Sequence, residues 1–342
     1  MTLSKQKHSQ ILSQSSTTYN GIDLVKFLCA LMVFIIHVPP FPAPNSVFAN
    51  NLNFGLRHGL CRIAVPFFFL SSGFFLFGKM PLDKINIDII RNYCYKILRL
   101  LGIWTILTFI GEQDYLWYLG ATVVAIVLLS LCLYFHINIR YIGIFAIALY
   151  MIGLLGDSYY GLTEPLKSVP LFSSILRGYN TIFETTRNGV FMGFIFILMG
   201  AWFAHHKISL SPVLSSIGLI ASLICLLGEV FWLKQHSFQK EYNMYIFLLP
   251  AVYFLFSLAV NVQLNNRPIY NRLRKLSMLI YFSHILINEF AWVAVNLLNK
   301  LCADRATEYQ FVISLSLTLL STICIERLSC KKHYKWINWL IS

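Results

Sequence analysis

Three polar side chains lie at fixed places in an apolar stretch near the start of the chain, residues 23–40, D-L-V-K-F-L-C-A-L-M-V-F-I-I-H-V-P-P. Lys26 and His37 are close to three α-helical turns apart, so both point the same way, roughly 16 Å apart along the axis. Asp23 lies one turn before Lys26, within reach of an ion pair. Histidine takes a proton from a hydroxyl near neutral pH, and lysine holds an anion or tunes a carboxylate.

The element that must position these groups is a membrane-spanning helix. Ionisable groups inside such a helix are costly and usually face a protein interior or a water-filled cavity. This predicts that the helix forms one wall of an active site that runs through the bilayer. Two simpler interpretations stay open: Lys26 reaches for the interface beside the helix end, and His37 makes an interfacial or interhelix hydrogen bond.

The composition indicates an all-α, polytopic membrane protein. Of the 342 residues, 57% are hydrophobic and only 12% are charged, which is too apolar for a soluble domain of this length. The apolar runs are continuous and do not alternate, which disfavours a β-barrel. The net charge of +13 lies mostly between the apolar runs, where membrane proteins carry it, so we expect membrane lipid and no nucleic acid as a partner.

Hydropathy predicts about ten spans within one transmembrane domain, residues 21–330. Tails at 1–20, polar and disordered, and at 331–342, basic, flank this domain. The basic residues favour cytoplasmic N- and C-termini and place the long connection 157–187 outside. The predicted spans cover about 22–39, 60–78, 97–111, 115–135, 141–156, 188–204, 209–233, 243–262, 277–299 and 309–326.

The pattern of Asp23, Lys26 and His37 resembles the acyltransferase-3 family of membrane proteins, whose members move acyl groups, usually acetyl, onto surface carbohydrates and related acceptors. Further landmarks follow in the family's order. These are R-I-A-V-P-F-F-F-L-S-S-G at 62–73, Lys96-x-x-Arg99, L-W-Y-L at 116–119, T-R-N-G-V-F at 186–191 and L-S-M-L-I-Y-F-S-H at 276–284. One departure is Lys26, where the family more often has arginine, which grips an anion in two places.

The resemblance implies an O-acyltransferase of the cell (inner) membrane with acetyl-CoA as the donor, reached from the cytoplasm, and no metal. The expected catalytic residue is His37, as general base or acyl carrier, ordered by Asp23 and Lys26. Positive charge for the CoA phosphates is expected from Lys96, Arg99 and Arg91. The expected acceptor is a surface polysaccharide or lipid-linked glycan, which enters from the outer side. Its candidate ligands are Arg62, Arg187 and His284.

Two other functions use similar features. A transporter of a lipid-linked sugar or small solute employs intramembrane charges as a proton relay, but it favours internal repeats, and none is evident. A membrane glycosyltransferase favours an acidic motif early in an outer loop, and the connection after the first predicted span has no Asp or Glu. An acyl-serine at Ser71 or Ser72 needs an adjacent base and an oxyanion hole, and the sequence shows neither.

Overall fold

The computed structural model describes residues 19–41, 46–108, 116–183, 185–206, 210–236, 238–302 and 309–331, with residues 334, 337 and 339. These residues form helices and connections and contain no strand. The prediction of an all-α protein is therefore confirmed over this part of the chain. Most of the two predicted tails, 1–20 and 331–342, lies outside the described ranges.

Twelve α-helices occur within these ranges, and we number them in chain order. Short 3₁₀ segments cover Leu60–Ile63 and Tyr160–Ser168, and a π-helical turn at Gly189–Gly193 leads into the eighth α-helix. The α-helices are α1 Asn20–His37, α2 Val47–His58, α3 Ala64–Phe77, α4 Ile87–Leu107, α5 Trp117–Tyr134, α6 Ile139–Gly156, α7 Pro170–Ile182, α8 Phe194–His205, α9 Pro212–His236, α10 Leu248–Asn261, α11 Pro268–Cys302 and α12 Gln310–Ser329.

Within the described residues, seven helical segments are long and apolar enough to cross a membrane, against about ten expected. Two more apolar segments, Gly189–His205 and Leu248–Asn261, are shorter. The third predicted span belongs to α4, which is not among the seven. This pattern establishes a multi-pass membrane protein and leaves the exact number of crossings a prediction.

Three helical regions extend beyond what hydropathy indicated. Helix α2 forms between the first and second predicted spans, where the Ser46 side chain accepts a hydrogen bond from the N–H of Ala49. Helix α4 begins between the second and third predicted spans, where Asn86 caps its first turn. Helix α11 begins before the ninth predicted span and takes in the basic residues that precede it. Hydropathy detects lipid-facing runs, whereas capping residues, as in α2 and α4, stabilise polar helix ends.

Glycines bring α3 and α8 into close contact. A Cβ atom on Gly73 would overlap the carbonyl oxygen of Ile197, and one on Gly200 would overlap that of Leu70. Small residues at such crossings let helix backbones approach within a membrane. The Ser71–Gly73 stretch therefore serves helix packing, and Ser71 donates its hydroxyl to the carbonyl of Phe67 in its own helix.

Helices α1 and α11 lie side by side and run in the same direction. Asp23 contacts Arg274 near the start of both helices, and His37 contacts His284 further along. We call these two places the cavity end and the histidine end. Because the two helices are parallel, the ion pair lies near the start of both helices and the histidine pair lies further along both.

Candidate active site

The histidine end is built around two imidazoles in contact, with their ring planes tilted by 53°. His37 is the last residue of α1, and its ring centroid lies 5.1 Å from that of His284, which is fully buried on α11. The Nδ1 atom of His284 lies 2.8 Å from the carbonyl oxygen of Tyr281 and 3.1 Å from that of Ile280. Carbonyls only accept, so Nδ1 carries the proton and Nε2 is the acceptor of the neutral ring. The second predicted histidine thus lies beside the first.

Arginines surround this pair. Arg57, Arg62 and Arg187 all lie close enough to His37 to act on it electrostatically. The Nε atom of Arg57 donates to the carbonyl oxygen of Ile36 at 2.8 Å, so this residue caps the end of α1. A cation beside the C-terminus of a helix also interacts favourably with its dipole. Arg57 therefore has a structural role, whereas Arg62 and Arg187, both predicted acceptor ligands, face the same region.

The side-chain amide of Asn243 links Arg62 to the carboxylate of Asp157. The Nη1 atom of Arg62 donates to Oδ1 of Asn243 at 2.7 Å, and the Asn243 side-chain nitrogen donates to Asp157 at 2.9 Å. Asp157 also accepts from the backbone N–H groups of Asn243 and Met244. Burial raises the pKa of Asp157 to about 6, although these hydrogen bonds act in the opposite direction. The charge of Arg62 is thus only indirectly balanced.

Arg187 is presented by an irregular piece of backbone. Its guanidinium lies over the ring of Trp117, 5.1 Å from the centroid, in a cation–π arrangement. The next residue, Asn188, accepts hydrogen bonds from the N–H groups of Val190 and Phe191 and starts the π-helical turn. Such turns often occur at functional sites. This local geometry fixes the direction in which the chain after Arg187 enters the bundle.

At the cavity end, the structure corrects the expected partner of Asp23. Both oxygens of this buried carboxylate accept from Arg274, at 2.8 Å from Nε and 2.6 Å from Nη2. Lys26 instead lies over the ring of Phe75, at 4.9 Å from the centroid. The fork of an arginine matches both carboxylate oxygens, which a lysine cannot do. Asp23 thus ties α1 to α11, and Lys26 lines the neighbouring cavity.

A cavity of about 270 Å³ opens beside this ion pair. Its cationic lining groups are Lys26, Lys96 and Arg274. Lys96 is exposed and the Arg274 side chain is about half exposed, so these two mark the mouth. Its hydroxyl groups come from Ser72, Tyr93, Tyr118, Thr122, Ser277 and Tyr281. Because Asp23 neutralises one of the three cations, the cavity keeps an excess of positive charge, which favours an anionic ligand.

The remaining two predicted CoA ligands do not line this cavity. The guanidinium of Arg99 lies 5.4 Å from the ring centroid of Trp339. Arg91 forms a surface ion pair with Asp88 at 2.9 Å, with both side chains more than 70% exposed. The Lys96-x-x-Arg99 spacing places both residues near each other on α4, yet only Lys96 turns toward the cavity.

Two tyrosines join the cavity to the histidine end. Tyr281 lines the cavity, and its ring centroid lies 6.3 Å from that of His284, one turn further along α11. Tyr118 contacts Tyr281 at 5.7 Å between centroids, and its hydroxyl lies 3.3 Å from the Ser72 hydroxyl. Ser72 thus contacts a tyrosine, and no histidine–serine hydrogen bond occurs among the described residues.

Sequence reasoning missed Arg274, Tyr118 and Tyr281 as site residues. Arg274 belongs to a run of basic residues, and only its proximity to Asp23 distinguishes it from its neighbours. Tyr118 belongs to the L-W-Y-L landmark, and the structure shows that it is buried. The available signal for Tyr281 was its place three residues before His284, on the same helical face.

The adjacent histidines His205 and His206 contact separate partners and do not converge on one point. His205 Nε2 lies 3.0 Å from the carbonyl oxygen of Phe77, and His206 stacks on Trp202. In the described part of the chain, no three His, Cys, Asp or Glu residues gather as a metal site.

Comparisons with known proteins identify relatives over nearly the whole chain. A family model described as "Acyltransferase domain" matches residues 19–327. An amino-acid racemase of Enterococcus faecalis is 30% identical, covering 93% of this chain and 46% of the relative. A second from the same organism is 29% identical, over 78% and 41%. A serine/alanine racemase of Enterococcus gallinarum is 27% identical, over 70% and 36%. The chain spans less than half of these relatives, and no solved structure matches it.

Proposed function

This chain belongs to the acyltransferase-3 family, and from that premise we propose that it is an integral membrane O-acyltransferase of the cell membrane. The donor is acetyl-CoA, and the acceptor is a hydroxyl of a surface polysaccharide, a lipid-linked glycan or a related molecule. The observation that carries the proposal is the contact between His37 and His284 inside the helix bundle, next to a cation-lined cavity.

We propose ten crossings with cytoplasmic termini. The parallel packing of α1 and α11 is compatible with this number and excludes seven or nine crossings, because parallel neighbours must be an even number of crossings apart. The seven long segments alone make α11 the sixth crossing, which is antiparallel to α1. Helix α11 becomes the ninth crossing, which is parallel to α1, when three further segments are counted as crossings: Ile87–Leu107, Gly189–His205 and Leu248–Asn261. The cavity end then faces the cytoplasm.

Lys26 and Lys96 are the proposed anchors for the acetyl-CoA phosphates and carbonyls at the cavity mouth, and Arg99 lies one turn further along α4. The cavity of about 270 Å³ is below the usual 300–1,000 Å³ of a pocket that encloses a drug-sized ligand. It fits the thioester arm of the donor and leaves the nucleotide at the mouth. Tyr118 and Tyr281 then line the route of the acetyl group toward the histidines.

His37 is the proposed general base. It removes the proton of the acceptor hydroxyl, whose oxygen attacks the acetyl carbonyl carbon. The carbon–sulfur bond breaks, and the proton passes to the CoA thiolate, so an ester and free CoA are formed. A route in which His37 first carries the acetyl group balances in the same way over two steps. His284, with its Nδ1 proton held by carbonyls, orients the ring of His37.

Transfer of radiolabelled acetyl from acetyl-CoA tests this function. Membranes with the chain, in their native envelope, should incorporate label into glycan, and membranes without it should not. Absence of incorporation above empty membranes, with well-expressed protein, contradicts the proposal.

A second candidate is transport of a small solute. The names of the relatives favour an amino acid as that solute. Uptake of radiolabelled serine into cells expressing the chain separates the candidates. Serine accumulating unmodified indicates a transporter, whereas O-acetylserine indicates that serine is the acceptor of the acyltransferase.

A further inference from the structure

Among the described residues, the histidine end holds three arginines but only two carboxylates. Arg57, Arg62 and Arg187 lie near His37, and the carboxylates described in this region are Asp157 and Glu241. Arg57 is accounted for by its hydrogen bond to the Ile36 carbonyl. Arg62 and Arg187 remain, and these two side chains come from distant parts of the chain.

The nearby acids are committed to other groups. Asp157 accepts three hydrogen bonds from Asn243 and Met244, which occupy both of its oxygens. Glu241 accepts from the hydroxyl of Thr185 and from the Asn243 amide. Within the described residues, neither carboxylate forms an ion pair with Arg62 or Arg187. Among these described residues, Arg62 and Arg187 therefore lack a direct carboxylate partner, although Asp157 acts on Arg62 from further away.

The arginines also have donors without acceptors. The Nε atoms of Arg62 and Arg187 are buried and make no hydrogen bond within the described residues. The Arg187 guanidinium lies over the ring of Trp117, and Arg62 donates a hydrogen bond to Asn243. Fixed guanidinium groups with unused donors suit carboxylate or phosphate oxygens.

We infer that the acceptor carries a carboxylate or phosphate that binds between Arg62 and Arg187, so that its hydroxyl faces His37. This inference rests on the proposed function, since it names the chemical class of the acceptor. Trp117 forms the floor of the site, and Asn243 keeps Arg62 in place through its amide oxygen.

Binding of radiolabelled glucuronate to the purified full chain in nanodiscs tests the inference. Unlabelled glucose is the neutral competitor, and glucose 1-phosphate is the phosphate competitor. We expect glucuronate or glucose 1-phosphate to bind at least about tenfold more tightly than glucose, because charge-assisted hydrogen bonds are lost without the anionic group. The stronger of the two anionic probes identifies carboxylate or phosphate as the preferred group.

Matched variants locate the binding. Arg187→Gln should weaken the anionic probe about tenfold or more, and Arg177→Gln, on the exposed face of α7, should leave it unchanged. Arg62→Gln also breaks the contact with Asn243, so Arg62→Lys, which keeps the charge, controls for folding. Equal competition by glucose, no binding of any probe, or full binding by Arg187→Gln overturns the inference.

The anion site and the proposed acetyl transfer can fail independently of each other. An anion site that persists in a chain unable to transfer acetyl from acetyl-CoA contradicts the enzyme and supports the site. Acetyl transfer that proceeds equally well with Arg187→Gln, at limiting acceptor, contradicts the site and leaves the enzyme standing.

Discussion

The cavity end and the histidine end of α1 and α11 hold positive charge in different ways. At the cavity end, Arg274 is paired directly with buried Asp23, and Lys26 and Lys96 line an open space. At the histidine end, Arg62 and Arg187 are held by an amide and an aromatic ring. A direct ion pair fixes helices to each other, whereas neutral partners position a charge without cancelling it. In the proposed function, the cavity end thus combines a structural lock with the entrance for the donor, and the histidine end holds the site for the acceptor.

The largest expected effect follows from removing the base. His37→Gln should lower acetyl transfer by at least about 100-fold, since general base catalysis contributes roughly 10²–10⁴-fold. His206→Gln is the matched control, because His206 is exposed and bonds only within its own helix. Radiolabel transfer at equal protein levels in the membrane measures both. Acetyl transfer at the wild-type rate by His37→Gln contradicts the role of His37 as general base.

Breaking the lock should cost stability. Arg274→Met leaves the buried Asp23 carboxylate without its ion pair, which costs about 2–3 kcal/mol after allowance for the half-exposed arginine. We expect the Tm of the purified protein to fall by several degrees. Arg91→Met, which breaks an exposed ion pair, should change it little. Equal Tm values for the two variants contradict the structural role of the Asp23–Arg274 pair.

The donor entrance should show a smaller, kinetic effect. Lys96→Gln is expected to raise KM for acetyl-CoA about tenfold with little change in kcat, because the lost charge contacts the donor away from the reacting atoms. Arg91→Gln on the same helix should change KM less than about twofold. Initial rates against acetyl-CoA concentration distinguish them. A kcat loss without a KM change relocates Lys96 from donor binding to catalysis.

The smallest effect is a pH dependence at the histidine end. The folded chain raises the pKa of Asp157 from 3.8 to about 6, so the unfolded chain loses this proton first. The free energy of unfolding therefore falls as the pH rises from 3.8 to about 6, and this loss of stability is fully present above about 6. Between pH 5 and 7 the difference is on the order of 1 kcal/mol. Asp157→Asn should lack this pH-dependent loss of stability, so its Tm should fall less between pH 5 and pH 7 than the wild-type Tm. An equal fall in Tm for both proteins contradicts the prediction.

How far the sequence predicts this molecule depends on whether a feature is local. The helical character and the common face of Lys26 and His37 follow from hydropathy and from the 3.6-residue period, which are local. The beginning of α4 within a charged loop and the formation of α2 depended on caps. The count of crossings stays a prediction, because Gly189–His205 and Leu248–Asn261 are shorter than an ordinary span.

The site shows the same limit. His284 was a candidate from the sequence, but its place against His37 needed the parallel packing of α1 and α11. Asp23 had two helical neighbours of opposite charge to choose from, and its partner proved to be the more distant in sequence, Arg274. Trp117 and Tyr118 point about 100° apart on one helix, so the first contacts Arg187 and the second lines the cavity.

The sidedness of acetyl transfer tests most directly the claim that the two ends serve different substrates. Membrane-impermeant radiolabelled acetyl-CoA is supplied outside sealed vesicles, either inside-out or right-side-out, prepared from cells expressing the chain. The account predicts label retained in glycan only in inside-out vesicles, where the cavity end faces the donor. Equal labelling of right-side-out vesicles, or labelling of those vesicles alone, contradicts it.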